Sequence, residues 1–311
     1  MSLKLSKAPH ERGFFIGLDE HRLSLPHLKM AFKLFKRNQT DRAEMSFVDH
    51  LEVLRGHLFR SVVAIAVGAV IVGIYNDFVV KQVLMGPTHA DFPTYRVMCK
   101  VGQYLNLGES LCMEAINVPL QNTLVGGQFS MFFMIVFVGG FIVAFPYVFW
   151  EFWSFVKPAL TKKELSKTRG VIFWVSLLFF TGVLFGYFVL APYTINFFSN
   201  FQLDENIKNL WTIASYFDTL IPLILGTGLA FQLPLVMYFL SKVGLVTPTF
   251  LKGARKYAIV VIVIVAGVIT PPDVISQIIV SIPLLLLYEI SIWLSAKVQK
   301  ERAIEDAKEW E

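Results

Sequence analysis

Charge is scarce in this chain: Asp, Glu, Lys and Arg make up 16% of 311 residues, against 55% hydrophobic side chains, and the mean hydropathy is +0.59. A water-soluble domain carries about 25% charged residues, so a soluble globule is excluded. Cysteine is nearly absent, with Cys99 and Cys112 alone, and the six histidines at 10, 21, 27, 50, 57 and 89 form no His-x-x-x-His or Cys-His grouping in an apolar run. Metal catalysis therefore has no support. There is no Gly-x-Ser-x-Gly serine with a histidine inside a span, no pair of span aspartates and no ATP-binding loop. An intramembrane protease therefore has no support, the lack of an ATP-binding loop agrees with a drive other than ATP, and no enzymatic cofactor is implied. No internal repeat appears, which removes the usual mark of an ion-coupled secondary transporter of small solutes, the main alternative class. The first 45 residues lack the apolar core of a cleavable signal peptide, so the first span is expected to direct insertion itself.

What the chain does hold is long apolar runs. A helix crossing about 30 Å of hydrocarbon needs about 20 apolar residues. Six candidates follow: 58–75, 129–150, 171–190 (ended by Pro192), 219–240 (carrying Pro222 and Pro234, where kinks are expected), the short 257–269 and 274–294, with Thr270-Pro271-Pro272-Asp273 as the turn between the last two. The expected fold is an all-α polytopic membrane protein with six transmembrane helices and short helices five and six. Residues 1–45 read as a basic extension holding an amphipathic surface helix at 25–37, 46–296 as the membrane domain, and 297–311 as a charged helical tail.

Charge orients the chain. Segments 1–57, 154–169, 242–256 and 297–311 hold 23 Lys or Arg, whereas 76–128, 191–218 and 270–273 hold 4. Positive charge stays inside, so both termini are cytoplasmic, and the even parity this demands retains the short fifth span. The sequence pI of 9.1 follows from topology and calls for no nucleic acid. Both cysteines then fall in one exterior loop, where a Cys99–Cys112 disulfide can form and stabilise the loop by about 3 kcal/mol.

Four segments carry a resemblance. His50-Leu51-Glu52-Val53-Leu54-Arg55 resembles an amino-terminal His-Leu-x-Glu-Leu-Arg element, and Phe155-Val156-Lys157-Pro158-Ala159-Leu160 with Glu164 resembles a Phe-x-x-Pro-Ala-Leu-x-x-x-Glu loop. Phe231-Gln232-Leu233-Pro234 is similar to Phe-Glu-x-Pro in a fourth helix, and Thr270-Pro271-Pro272-Asp273-Val274-Ile275-Ser276-Gln277 to a Thr-Pro-Pro-Asp-x-x-Ser-Gln turn. Together, in this order and over residues 46–296, they resemble the TatC family, the signal-peptide receptor of twin-arginine protein translocases.

The resemblance implies a site. Glu164 is the one acid in a loop of five basic residues, and with Glu52, Phe155, Pro158 and Leu160 it is expected to bind the paired arginines of a signal peptide, because carboxylates take guanidinium groups bidentately. The family acid directly before Leu-Arg is replaced by Val53, and Glu52 lies about 100° away around a helix. Gln232 stands where the family commonly has Glu and cannot exchange a proton. Gln232, Thr270, Gln277 and Glu289 are expected to make polar contacts with single-span TatA-like and TatB-like partners, an intrahelical bond being the alternative for Thr270. Of the membrane acids, Glu289 is expected to be the deepest, with Glu151 and Asp218 at the interface in contact with water. The implied setting is the cell inner membrane, with several TatC copies per complex, folded cargo, surrounding lipid and the protonmotive force as drive.

Overall fold

The structure is a computed structural model and describes residues 47–309 except 90, 105–119, 158–169, 205, 208 and 272. The chain divides after Asp49 into two units, and the fold described is that of the second, His50–Glu311. The amphipathic reading of 25–37 lies outside the described residues.

Among the described residues, ten α-helices of six residues or more organise this unit: α1 (Phe47–Ile74), α2 (Pro93–Tyr104), α3 (Gly127–Val156), α4 (Val171–Phe185), α5 (Ala191–Asn200), α6 (Ile213–Ala230), α7 (Leu233–Val243), α8 (Pro248–Gly253), α9 (Arg255–Ile269) and α10 (Val274–Glu309). Strands β1 (Leu120–Gln121) and β2 (Trp211–Thr212) pair in parallel. Among the described residues, five segments are long and apolar enough to cross a membrane: Leu51–Ile74, Gly127–Val156, Val171–Asn200, Ile213–Val243 and Val274–Ile304. At 15 residues α9 falls short of that length.

The first helix runs from Phe47 on through the apolar run that begins at Leu58, so Glu52 and Arg55 lie on a helix, as the reading of the entry segment expects. Two expectations about these elements are corrected. The third span does not end at Pro192. Proline offers no N–H to the carbonyl four residues back, that of Phe188. The backbone widens to a π-turn over Gly186–Leu190, and Thr94 Oγ1 donates to the Phe188 carbonyl, so α4 runs on into α5. The last helix is not short: α10 spans 36 residues, since its tail is rich in Ala, Glu, Lys and Arg, all strong helix formers. The expected kink at Pro234 is present as a break at Phe231–Gln232, whereas α6 passes through Pro222.

The packing is that of a bundle solvated by lipid. Ser276, Ser291, Ser295, Thr194 and Thr227 are 0% exposed, while Val268 and Phe129 are 80% and 68% exposed. With apolar solvent outside, apolar burial does not separate inside from outside, and small residues that admit close backbone approach line the contacts. A Cβ on Gly68 of α1 would stand 2.5 Å from the Gly140 carbonyl oxygen of α3, and one on Gly140 would stand 2.5 Å from Ala69 N. Gly186 meets Thr227 of α6 in the same manner. Serines bond across: Ser241 Oγ of α7 donates to Ser295 Oγ of α10 at 2.7 Å, and Thr194 and Ser276 hydroxyls lie 3.1 Å apart.

One end of the bundle is capped by the irregular segment 79–89. Three tyrosine hydroxyls from different elements hold it, each at 2.6 Å: Tyr187 donates to Val83 O, Tyr216 to Leu84 O and Tyr95 to Pro87 O. Burial pushes the pKa of Tyr95 up, so it remains a donor throughout the physiological range.

Candidate functional site

The sharpest polar constellation joins α1 to α3. Glu151, near the C-terminal end of α3, is 5% exposed. His57 Nδ1 of α1 lies 2.6 Å from its Oε2, and Arg60 Nη1 lies 3.7 Å away. His57 and Arg60 are three residues apart and share a helix face, which is why one carboxylate meets both. Tyr147, one turn earlier on α3, presents its hydroxyl to the same carboxylate. Beyond the pair, the Phe155 ring meets His57 edge-on with centroids 6.3 Å apart. Below it, an apolar trough follows the α1–α3 contact, lined by Phe59, Val63, Val67, Val143 and Tyr147.

Of the expected receptor residues, Phe155 thus touches this cluster. Glu52 lies on the same helix as His57, about one and a half turns earlier, and is exposed. Pro158, Leu160 and Glu164 lie outside the described residues. His57, Arg60 and Tyr147 were not anticipated; the signal was available in the spacing of His57 to Arg60 and of Tyr147 to Glu151.

Burial within the bundle separates the membrane acids. Glu289, read as deepest, has a side chain 51% exposed and pairs with Arg255 Nη2 at 2.8 Å. Glu151, expected to meet water at the interface, has one 6% exposed. The physical reason is rotational: Glu289 lies on the outer side of α10, between buried Tyr288 and Ile292, whereas Glu151 points at α1. Asp218 is exposed, as expected.

Gln232 occupies the break between α6 and α7. Its Nε2 donates to the Val175 carbonyl of α4 at 3.1 Å, while Oε1 is buried and has no partner. At the opposite end of α9, Thr270 is 5% exposed and its Oγ1 donates to Ala266 O, the intrahelical alternative. Gln277 Nε2 reaches across to Val263 O of α9 at 2.9 Å, passing over Gly267. Asp273 caps α10, its Oδ2 accepting from Ser276 N at 2.7 Å. Cys99 is disulfide-bonded, and Cys112 lies outside the described residues. Among the described residues no group of three His, Cys, Asp or Glu is placed to hold a metal.

Long apolar helices, small polar residues inside and a buried carboxylate near one end define a multi-pass helical membrane protein with a polar site at the end of the α1–α3 pair. The comparisons narrow this. The family model for TatC, the Sec-independent protein translocase protein, matches residues 49–283. The TatC of Blattabacterium sp. subsp. Periplaneta americana is 39% identical over 265 residues, covering 85% of this chain and 100% of that protein. That of Halalkalibacterium halodurans is 36% identical over 264 residues, covering 83% and 93%. A crystal structure of the twin arginine translocase receptor TatC in DDM superposes with a TM-score of 0.63 at 30% identity, over 79% of this chain and 99% of that one. A second crystal structure of that receptor gives 0.59 at 28% identity. The chain belongs to the TatC family and is a component of a Sec-independent protein translocase.

Proposed function

We propose that this chain is the receptor subunit of a twin-arginine translocase in the cell inner membrane. In this reading it binds the signal peptides of folded proteins at its cytoplasmic face. It crosses the membrane six times, α9 being the short fifth span, with both termini cytoplasmic as the basic segments require. The observation that carries the reading is convergence. The start of α1, with Glu52, and the end of α3, with Phe155, meet at the His57–Glu151 pair, next to where the segment bearing Glu164 leaves α3. A twin-arginine peptide presents two guanidinium groups ahead of an apolar stretch, and a carboxylate beside aromatic and apolar side chains complements both. The neighbouring solved proteins described as twin arginine translocase receptors support the same role.

The chain does not act alone. Helices about 10 Å wide, six in number, ring too narrow a space for a folded domain whose radius of gyration is about 13 Å. TatA-like and TatB-like single-span partners assemble around several copies, with Gln232, Thr270, Gln277 and Glu289 as the polar positions proposed to meet them, and the protonmotive force drives transport. The test is photo-crosslinking from position 164 to a twin-arginine signal peptide, with a Lys-Lys peptide as control. Glu164→Gln should weaken binding by about 1.5–3 kcal/mol, the worth of a charge-assisted hydrogen bond. Equal yields from the two peptides, or from variant and parent, sink the assignment.

A further inference from the structure

A second groove lies away from the α1–α3 site, between α4, α7 and α10. It encloses about 870 Å³ and is walled by Leu178, Leu235, Leu287 and Leu294. Trp174 and Trp293 stand on its lips, 62% and 67% exposed. Such half-wet indoles mark the level where hydrocarbon gives way to headgroups. Lys297 and Glu301, one turn apart on α10, line the same groove beyond Trp293. No ion pair joins them, and Lys before Glu is the weaker order for such a pair on a helix. Among the described residues the groove thus offers an apolar trough, an aromatic collar and, past the collar, one cation and one anion.

We propose that this groove seats one phospholipid of the adjacent leaflet with a zwitterionic, primary-amine headgroup, an ethanolamine type. An acyl chain fills the trough, the phosphate rests on Lys297 and the ammonium on Glu301. In a bilayer an unfilled apolar trough forfeits dispersion contacts along its walls, so a chain occupies it. The headgroup follows from charge. An anionic glycerol headgroup would leave Glu301 opposing it, whereas an ethanolamine meets both charges with opposite sign. Its N–H groups make charge-assisted hydrogen bonds to the carboxylate that a quaternary choline cannot make. Bound there, the lipid would brace the long exterior helix α10 against α4, whose first turn at Val171 also lines the groove.

The full-length protein, purified in a mild detergent, is incubated with equal amounts of phosphatidylethanolamine, phosphatidylglycerol and phosphatidylcholine and read by native mass spectrometry. One phosphatidylethanolamine should be retained in preference. Glu301→Gln should lower that preference over phosphatidylcholine by about tenfold, the loss of one charge-assisted bond. Lys297→Gln should weaken retention of all three. Both side chains are exposed, so the fold is kept, and an unchanged melting temperature verifies it. In nanodiscs, phosphatidylethanolamine brominated on its acyl chains should quench the parent more than the Trp174→Phe/Trp293→Phe variant. Equal retention of the three headgroups, or a preference for phosphatidylglycerol, overturns the proposal. So does a lipid-free dimer, or protection of these tryptophans by the signal peptide without lipid quenching. None of these readouts involves position 164, so failure here and failure of the receptor role are separable.

Discussion

His57→Ala removes the closest partner of a carboxylate that has almost no access to solvent. The bond is short, 2.6 Å, and Glu151 is 5% exposed, so the loss falls at the upper end for a charged hydrogen bond, about 2–3 kcal/mol. Arg60 does not rescue it. Its nitrogen stands 3.7 Å away on a side chain 52% exposed, where solvent reduces an ion pair to about 1 kcal/mol or less. Part of the cost comes from the edge contact with Phe155, which a second change separates out. Glu151→Leu deletes the charge and keeps an apolar body of similar length. Removing both partners of a buried bond is far less harmful than stranding one. Glu151→Leu/His57→Ala should therefore be no less stable than His57→Ala alone, giving a coupling of about 1–2 kcal/mol. Unfolding of the purified variants in mixed micelles at pH 7, titrated with a denaturing detergent, measures the cycle. If the single effects add to within about 0.5 kcal/mol, the two groups do not act as a pair and the geometry argued from is wrong.

Four further outcomes follow from the same structure. Gly140→Ala places a methyl 2.5 Å from Ala69 N and should cost about 1–3 kcal/mol by prising α1 from α3, seen as a lowered melting temperature; a neutral effect would mean the helices are not in backbone contact. Gln232→Glu, when ionised, replaces the donor to Val175 O with an acceptor, so stability should fall by about 1–3 kcal/mol in the same assay, and Gln232→Met should cost less. The Asn206 backbone N–H beside Asp204 holds that carboxyl below its usual range, so the turn's contribution is complete above the unfolded value and is lost as pH falls through the folded one; the protection factor of the Asn206 amide, its exchange rate set against that of an unstructured amide at the same pH, should fall on acidification in the parent and lose that dependence in Asp204→Asn. For the proposed Cys99–Cys112 bridge, a membrane-impermeant maleimide on intact cells should label both thiols only after reduction, and labelling without reductant rules it out.

The membrane character was legible in the sequence because a run of apolar residues must be a helix in hydrocarbon, whatever it touches. What hydropathy does not carry is rotation and context. The burial of Glu151 depends on which face of α3 meets α1, a relation fixed by the Gly68–Gly140 crossing and not by the span in which the acid lies. Pro192 failed to end a helix because its orphaned carbonyl at Phe188 is satisfied by Thr94, 94 residues earlier, a partner no local reading finds. The reach of α10 belongs to helix propensity outside the bilayer, where an apolar window is blind. At the site, the four motifs do not contain Glu151, Arg60 or Tyr147. The spacing of His57 to Arg60 puts both on one face of α1, but that this face meets Glu151 is a tertiary relation that no local spacing carries.

The two ends of the bundle are built on different principles, and this bears on how the proposed receptor would work. At the 79–89 cap, three backbone carbonyls are each taken by a buried or half-buried tyrosine hydroxyl, from Tyr95, Tyr187 and Tyr216, and β1 is paired to β2 nearby. Moving that end strands these carbonyls, at about 1–3 kcal/mol for each buried group left unpaired. At the opposite end, α1 and α3 are held by one His–Glu contact and an aromatic edge, and α9 and α10 by the half-exposed Arg255–Glu289 pair. The half-exposed Arg255–Glu289 pair can be exchanged at modest cost, whereas an arriving guanidinium replaces the buried His57–Glu151 bond only by supplying charge-assisted bonds of its own to the carboxylate. A chain that admits a peptide at one face while staying closed at the other, as proposed for this one, would use this asymmetry. In the proposed receptor the exchange falls at the His57–Glu151 pair, where an arriving guanidinium would replace the imidazole as the hydrogen-bond partner of a buried carboxylate.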